Sequence, residues 1–511
     1  MKKLANAAII IVAMLLGSKV LGIMREMLLA RQFGTSYIVD VYTICSSLPA
    51  VLFTIFASGF SHSYIPIYTR IKTKKEKNIF FSNLTNILTL FSFILCIGCI
   101  LFSKFILKFL APGFEGEVAE LANGFIKIIS LYLPFFVIFS MCAVQATAEE
   151  DFAVSYFCDY IVINVVIIIS ILLASPQNCY VLAYGYVISI IVALFILLTH
   201  LLTKGGVTYY RYFSLKDDNI KQISIMAVPV GLSLFANQIN HVIDRMFASS
   251  LGEGIAGALN YAEKVQLIPY SLVVSVFITV CIPRINKYVA ENENEKAMYY
   301  IKKAYMIAIY ISIPVVVFLS LYSEQIITVI FERGRFNRQS TIITAHCLKY
   351  YALGIPFYAF REISTKVLMA KMKKKVILRN TIIVCLTNIV LNALLIRKLG
   401  YVALPIATSI AGLLACILMN RDMKREGLSV FSKEQGREGA KIMLATVLAV
   451  CVCQILCMKK ITVYNMDTAF IVGCLFAMIT YIVVTIILNV EIIKWIYKLL
   501  PNRLKIIKKW N

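Results

Sequence analysis

Charge is scarce in this chain: Asp, Glu, Lys and Arg make up 15% of its 511 residues, where a soluble domain carries roughly 25%. That shortage excludes a large cytosolic enzyme and an intrinsically disordered chain. No GxxxxGKS/T loop occurs, so no nucleotide is bound in the P-loop manner, and any energy source is ionic or electrical. The four histidines, His62, His200, His241 and His346, show neither HExxH nor another metal-ligand spacing. No long connection is available on the less basic side to house a polymerase or ligase site. Fourteen cysteines, among them Cys96, Cys99, Cys281, Cys385 and Cys416, are scattered through apolar segments and read as small packing residues.

What fills the chain is apolar sequence, 60% of all residues. A bilayer core takes about 20 apolar residues per helix. Uncharged runs mark crossings at 41–69, 79–103, 222–243, 265–283, 304–323, 401–420, 442–458 and 468–490. The run 160–203 is too long for one helix and contains Ser175-Pro176-Gln177-Asn178, a turn signal, so it counts as two. Four more helices, over 4–29, 124–148, 341–368 and 376–396, carry internal charge. The expectation is an all-α polytopic membrane protein with about fourteen transmembrane helices. Met1-Lys2-Lys3 and the apolar stretch after it resemble a signal peptide, but no A-x-A-like site follows, and the segment reads as a retained first helix.

Net charge is +24, and its placement decides its meaning. Counted over alternate connections, 34 basic residues fall on the side of both termini and ten on the other. Lys and Arg stay on the cytoplasmic side, so both termini are expected in the cytoplasm, and nucleic acid is not needed to explain the charge. Seven basic residues remain inside helices: Lys19, Arg25, Lys127, Arg245, Lys264, Lys349 and Arg361. Each costs about 2.5–3.5 kcal/mol at the centre of an isolated helix, so such groups face a partner or a wet cavity unless they snorkel. Glu26 follows Arg25, Asp244 precedes Arg245, and Glu263 precedes Lys264. Neighbours on a helix point about 100° apart, so these are not expected to pair face to face. Lys19 and Glu26 share one face two turns apart, which gives the first helix a polar, mostly cationic stripe suited to an anionic substrate. Glu149-Glu150-Asp151 is either a solvated helix end or an echo of the metal-diphosphate sites of glycosyltransferases.

The two halves echo each other weakly. Gln32-Phe33-Gly34, Leu48-Pro49 and Ile65-Pro66 correspond to Ser250-Leu251-Gly252, Ile268-Pro269 and Ile282-Pro283. This suggests two six-helix lobes, 1–203 and 204–420, plus two C-terminal helices in 421–511, an organisation common in transporters that bind substrate between repeats. Prolines at 49, 134, 229, 269, 314 and 356 permit the kinks such lobes use.

Particular strings go further. Ser18-Lys19-Val20-Leu21-Gly22, Arg25-Glu26, Ala30-Arg31-Gln32-Phe33-Gly34, Asp40, Phe56-Ala57-Ser58-Gly59, Ile243-Asp244-Arg245, Ala258-Leu259-Asn260-Tyr261-Ala262, Phe331-Glu332-Arg333-Gly334-Arg335-Phe336 and Arg361-Glu362 together resemble the MurJ (MviN) family. These are lipid II flippases of the multidrug/oligosaccharidyl-lipid/polysaccharide exporter superfamily. The resemblance implies a central cationic cavity, a groove for a polyprenyl tail beside the last two helices, and no covalent chemistry. It places the substrate-binding positions on Lys19, Arg25 and Lys264, with Glu26 and Asp40 as accompanying acids. Lys stands at two positions where the family usually has Arg, which keeps the charge and gives up bidentate grip on phosphate. A further family Arg falls on Phe53, a neighbouring Asn on Ala50 and a Glu on Ser58. A sodium site of the family falls on Asp244, Asn388, Asn392 and Thr408 with the Leu404 carbonyl, which makes Na+ the implied coupling ion; Asn residues bonding between helices are the alternative.

The expected activity is thus potential- or ion-driven movement of undecaprenyl-diphosphate-linked peptidoglycan precursor to the outer leaflet of the cell membrane. Its expected partners are that lipid, the bilayer and cell-wall synthesis proteins. The alternatives are export of another polyprenyl-linked oligosaccharide, a drug/cation antiporter, whose cavity would be anionic, and a non-transporting scaffold in a cell-wall complex.

Overall fold

The computed structural model describes residues 2–53, 59–151, 153–204, 206–428, 433–458 and 466–499. Among them there is no strand, only an isolated bridge between Ser175 and Asn178. That bridge closes the turn the sequence signals: Asn178 N–H donates to the Ser175 carbonyl at 3.0 Å and to its hydroxyl at 3.2 Å. It separates helices ending at Leu173 and starting at Tyr180.

Packing divides the chain into two compact units, Met1–Tyr261 with Phe331–Ser340, and Ala262–Ile330 with Thr341–Asn511. The lobes expected from the internal echo follow a different criterion and stay an expectation. In the first unit the helices form rods over 2–33, 37–53 with 59–68, 74–101, 116–148, 153–173, 180–203 and 218–249. In the second they cover 255–290, which starts in the first, 294–321, 338–370, 374–399, 403–425, 433–458 and 466–487. Fourteen rods among the described residues match the sequence reading. Among the described residues, eight helical segments are long and apolar enough to cross a bilayer by length and composition; one of them, Lys374–Arg425, covers two rods joined by a short turn.

Several rods are broken, and proline explains where. Pro283 and Pro356 occupy the first turn of the second piece of their rods. Pro134 is the third residue of Tyr132–Ala148. At these positions a missing N–H leaves no intrahelical bond unmade. Pro269 and Pro314 stay inside continuous helices.

The first unit's core packs Tyr64, Tyr68, Phe80 and Leu84 with Tyr132, Phe139 and Ile190. The second packs Tyr305, Phe360 and Met419 with Cys453, Tyr481 and Trp495. Large apolar side chains such as Leu101, Phe105, Leu173 and Phe195 are exposed, as a lipid-facing surface requires. The thirteen cysteines whose side chains are described are free thiols, most of them buried, consistent with packing. One boundary is corrected. The crossing marked at 304–323 belongs to a helix that starts earlier, Asn294–Leu321, and takes in Lys303, buried and ion-paired with Glu491.

Candidate functional site

Beyond Lys2 and Lys3 at its start, the first helix, Lys2–Phe33, carries three cations at intervals of six residues, Lys19, Arg25 and Arg31. At 1.5 Å per residue they stand about 9 Å apart in height. Lys19 is exposed, while Arg25 is part-buried beside the buried Glu26. Contrary to the expectation for helical neighbours, these two do pair: Arg25 Nη2 donates to Glu26 Oε1 at 2.9 Å and Nε to the same oxygen at 3.3 Å. The 100° between their Cβ directions is bridged by the length of the arginine side chain, a reach that Cβ geometry does not capture.

Arg25 Nη1 reaches Asn164 Oδ1 at 3.4 Å, and Asn164 in turn donates to the Tyr160 carbonyl at 2.9 Å. Tyr160 lies in a π-helical turn, Cys158–Val162, of the rod 153–173. Such turns free backbone groups for side-chain use and recur at functional sites. On the other side Asn260 donates to Glu26 Oε2 at 3.2 Å. The hydroxyls of Tyr42 and Tyr186 lie within electrostatic range of Arg25, and Tyr186 also of Arg245. The result is a guanidinium held by Glu26 and Asn164, with Asn260 on the other oxygen of Glu26. Sequence reasoning found Arg25 and Glu26 and missed Asn164, Asn260, Tyr42 and Tyr186. The only prior signal for Asn164 was a polar residue inside an otherwise apolar run.

Asp40 has a different place. Its Oδ2 accepts from Gly254 N–H at 2.5 Å and its Oδ1 from Gly257 N–H at 2.7 Å. A carboxylate here neutralises the positive end of helix Ile255–Val280 and satisfies two of its orphan donors. It joins two sequence-distant helices of the first unit and holds Asn260, one turn further on, toward Glu26.

Lys264 belongs to the second unit and is partly buried. The same unit brings together four of the five residues of the implied sodium set. Asn388 Nδ2 donates to Thr408 Oγ1 at 3.3 Å, Thr408 donates to the Leu404 carbonyl at 2.8 Å, and Asn392 Nδ2 donates to Asn388 Oδ1 at 3.2 Å. Each accepting oxygen keeps a second lone pair, so the set suits a hard cation, though it contributes no carboxylate. Asp244 is partly buried in the first unit. The side chains at Ala50 and Phe53, and all of Ser58, lie outside the described residues.

The acidic cluster at 149–151 is pulled apart. Glu149 accepts from Tyr68, and Asp151 Oδ2 lies 2.6 Å from His200 Nε2.

A fourteen-rod helical chain with charged groups fixed inside its apolar helices is a polytopic membrane transporter by class. Its fold is shared with a solved inward-facing multidrug resistance MATE family transporter of the MOP superfamily, at TM-score 0.64 and 16% identity over 80% of this chain and 98% of that one. The match is stronger to a solved lipid II flippase MurJ in an inward closed conformation: TM-score 0.82 and 25% identity, covering 95% of this chain and all of that one. The family model for lipid II flippase MurJ matches residues 29–493, and the chain belongs to that family. Relatives include the probable lipid II flippases MurJ of Rickettsia prowazekii (strain Madrid E), 25% identical over 91% of each chain, and of Vibrio cholerae serotype O1 (strain ATCC 39315 / El Tor Inaba N16961), 26% identical over 84% of each.

Proposed function

We propose that this chain flips lipid II, carrying the undecaprenyl-diphosphate-linked precursor from the inner to the outer leaflet by alternating access, with both termini in the cytoplasm. The observation that carries the reading is the Arg25 cluster: a guanidinium held in place by Glu26 and Asn164 inside the first membrane helix of a MurJ family member. Glu26 offsets the cost of inserting the cation and fixes its plane. Asn164, at 3.4 Å, is the weak partner and the one an anion displaces. A phosphate charge 4 Å from a guanidinium is worth about 4 kcal/mol at an effective dielectric near 20, against about 1 kcal/mol in water.

Lys19 and Lys264 add charge along the path, and Asp40 acts as a positioning residue through the helix it caps. Transfer involves no bond making or breaking. Movement of an anionic lipid responds to membrane potential, and the Asn388–Asn392–Thr408 set is the proposed place for Na+ as a coupling ion.

The test is complementation of a bacterium depleted of its own lipid II flippase, at confirmed membrane expression. Wild type is expected to restore growth, and Arg25→Ala and Lys264→Ala to fail. Failure of wild type overturns lipid II as the substrate and favours another polyprenyl-linked glycan. Rescue by all three keeps transport and removes the site assignment.

A further inference from the structure

The string Phe331-Glu332-Arg333-Gly334-Arg335-Phe336 takes no part in the mechanism above. It belongs to the first unit, where it is clasped to the C-terminal end of the first helix. Arg335 N–H donates to the Arg31 carbonyl at 2.9 Å, and the Thr35 and Ser340 hydroxyls lie 2.8 Å apart. Phe331 and Phe336 pack on Tyr261 at ring-centroid distances of 5.1 and 5.6 Å, and the Tyr261 hydroxyl donates to the Gly34 carbonyl at 3.1 Å. Gly34 and Gly334 both have φ of +61°; a Cβ would lie 2.5 Å from the Arg335 carbonyl oxygen in one case and 2.3 Å from that of Arg31 in the other. Only glycine fits such a left-handed, close-approach position. The clasp therefore fixes the backbone beneath three exposed arginines, Arg31, Arg333 and Arg335.

Two cavities, of about 450 and 460 Å³, adjoin there and share Arg31, Leu28 and Gly334. The first adds Arg335, Gln32 and Leu172; the second adds Arg333, Met24 and Met27. Gln32 Oε1 is buried in the first with no hydrogen-bond partner. The neighbouring acid, Glu332, faces Arg338 at 3.6 Å. Leu172 and Met24 are exposed apolar groups at the margins. Strong positive charge beside an apolar rim fits an amphiphile with an anionic head. A phosphodiester brings one negative charge, whereas two cavities bridged by a shared arginine fit two linked phosphate groups.

We infer that Arg31, Arg333 and Arg335 form an exit station that binds the diphosphate of the polyprenyl-linked product on the face opposite the basic loops, with the start of its chain lying on Met24, Leu28 and Leu172. This rests on the flippase reading and on the orientation proposed with it. The station holds the flipped diphosphate against return and passes it to the outer leaflet.

The experiment titrates the full-length protein, in phosphatidylcholine nanodiscs, with farnesyl diphosphate. It is done in an Arg25→Met/Glu26→Gln background so that the inner cluster does not contribute. Adding Arg31→Gln/Arg335→Gln is expected to weaken binding by about tenfold or more. Arg31→Lys/Arg335→Lys retains most of it, which separates lost charge from a lost fold. Inorganic pyrophosphate competes, and phosphatidylglycerol in the disc does not. Unchanged affinity in the Gln variant overturns the inference, and so does displacement by phosphatidylglycerol, which makes this a phospholipid site. If the wild type binds through these arginines and yet fails to rescue a flippase-depleted strain, the flippase reading falls and the diphosphate site stands.

Discussion

The first unit buries a charged cluster, Arg25 with Glu26, Asn164 and Asn260, and the second buries a neutral one, Asn388, Asn392 and Thr408 against the Leu404 carbonyl. Both are hydrogen-bonded inside helices that are otherwise apolar. They differ in what it takes to open them. The neutral set is cheap to insert and its donors are spent on one another, so a cation gains little by entering unless a carboxylate joins it. The charged set is expensive to insert, and its cation is shared between a strong partner and a weak one. That inequality lets an anionic ligand replace Asn164 while Glu26 keeps hold of the guanidinium.

The largest break in this comparison is Arg25→Ala. It is expected to abolish rescue and to destabilise the protein by about 3–5 kcal/mol, because Glu26 is left buried with only an amide donor. Arg25→Met/Glu26→Gln separates the two effects: thermal unfolding in detergent is expected to return most of the way to wild type while growth stays lost. Recovery of growth in the double variant would mean that the pair serves folding alone.

Next comes Asp40→Ala. It orphans the Gly254 and Gly257 N–H groups and removes a carboxylate from a helix start, costing about 2 kcal/mol. The expected outcome is a lower melting temperature with farnesyl diphosphate affinity largely kept; affinity lost in step with Arg25→Ala would move Asp40 into the binding site itself. Smaller again is Gly334→Ala, which puts a Cβ against the Arg31 carbonyl at a positive φ and is expected to cost about 1–2 kcal/mol. Its signature is weakened binding at the outer arginines with binding at Arg25 intact.

Much of this was legible in the sequence, for physical reasons that also mark the limits. The fourteen rods follow from apolar runs and the Ser175–Asn178 turn, since a bilayer core fixes helix length. Arg25 and Glu26 stand out because charge is costly in such helices. Their pairing was misread, because Cβ directions say nothing of how far an arginine reaches. Asn164 and Asn260 were passed over because a neutral amide in a membrane helix is cheap and common, and only tertiary packing brings these two to Arg25 and Glu26. The role of Asp40 as a helix cap was hidden for another reason: the backbone it serves lies more than two hundred residues away.

The finest test of the comparison converts the neutral cluster toward the charged one. Asn392→Asp places a carboxylate beside Asn388 and Thr408 without changing side-chain volume appreciably, supplying the anionic ligand that this set lacks. The expected outcome is a protein whose melting temperature rises with Na+ and not with choline at equal ionic strength. Sodium at tenfold its dissociation constant would stabilise the folded state by about 1.4 kcal/mol. Wild type, whose set has no carboxylate, is expected to respond less. An equal response in both would mean that the neutral oxygens already make a complete cation site. No response in either would leave membrane potential, acting on the anionic lipid at Arg25, as the drive.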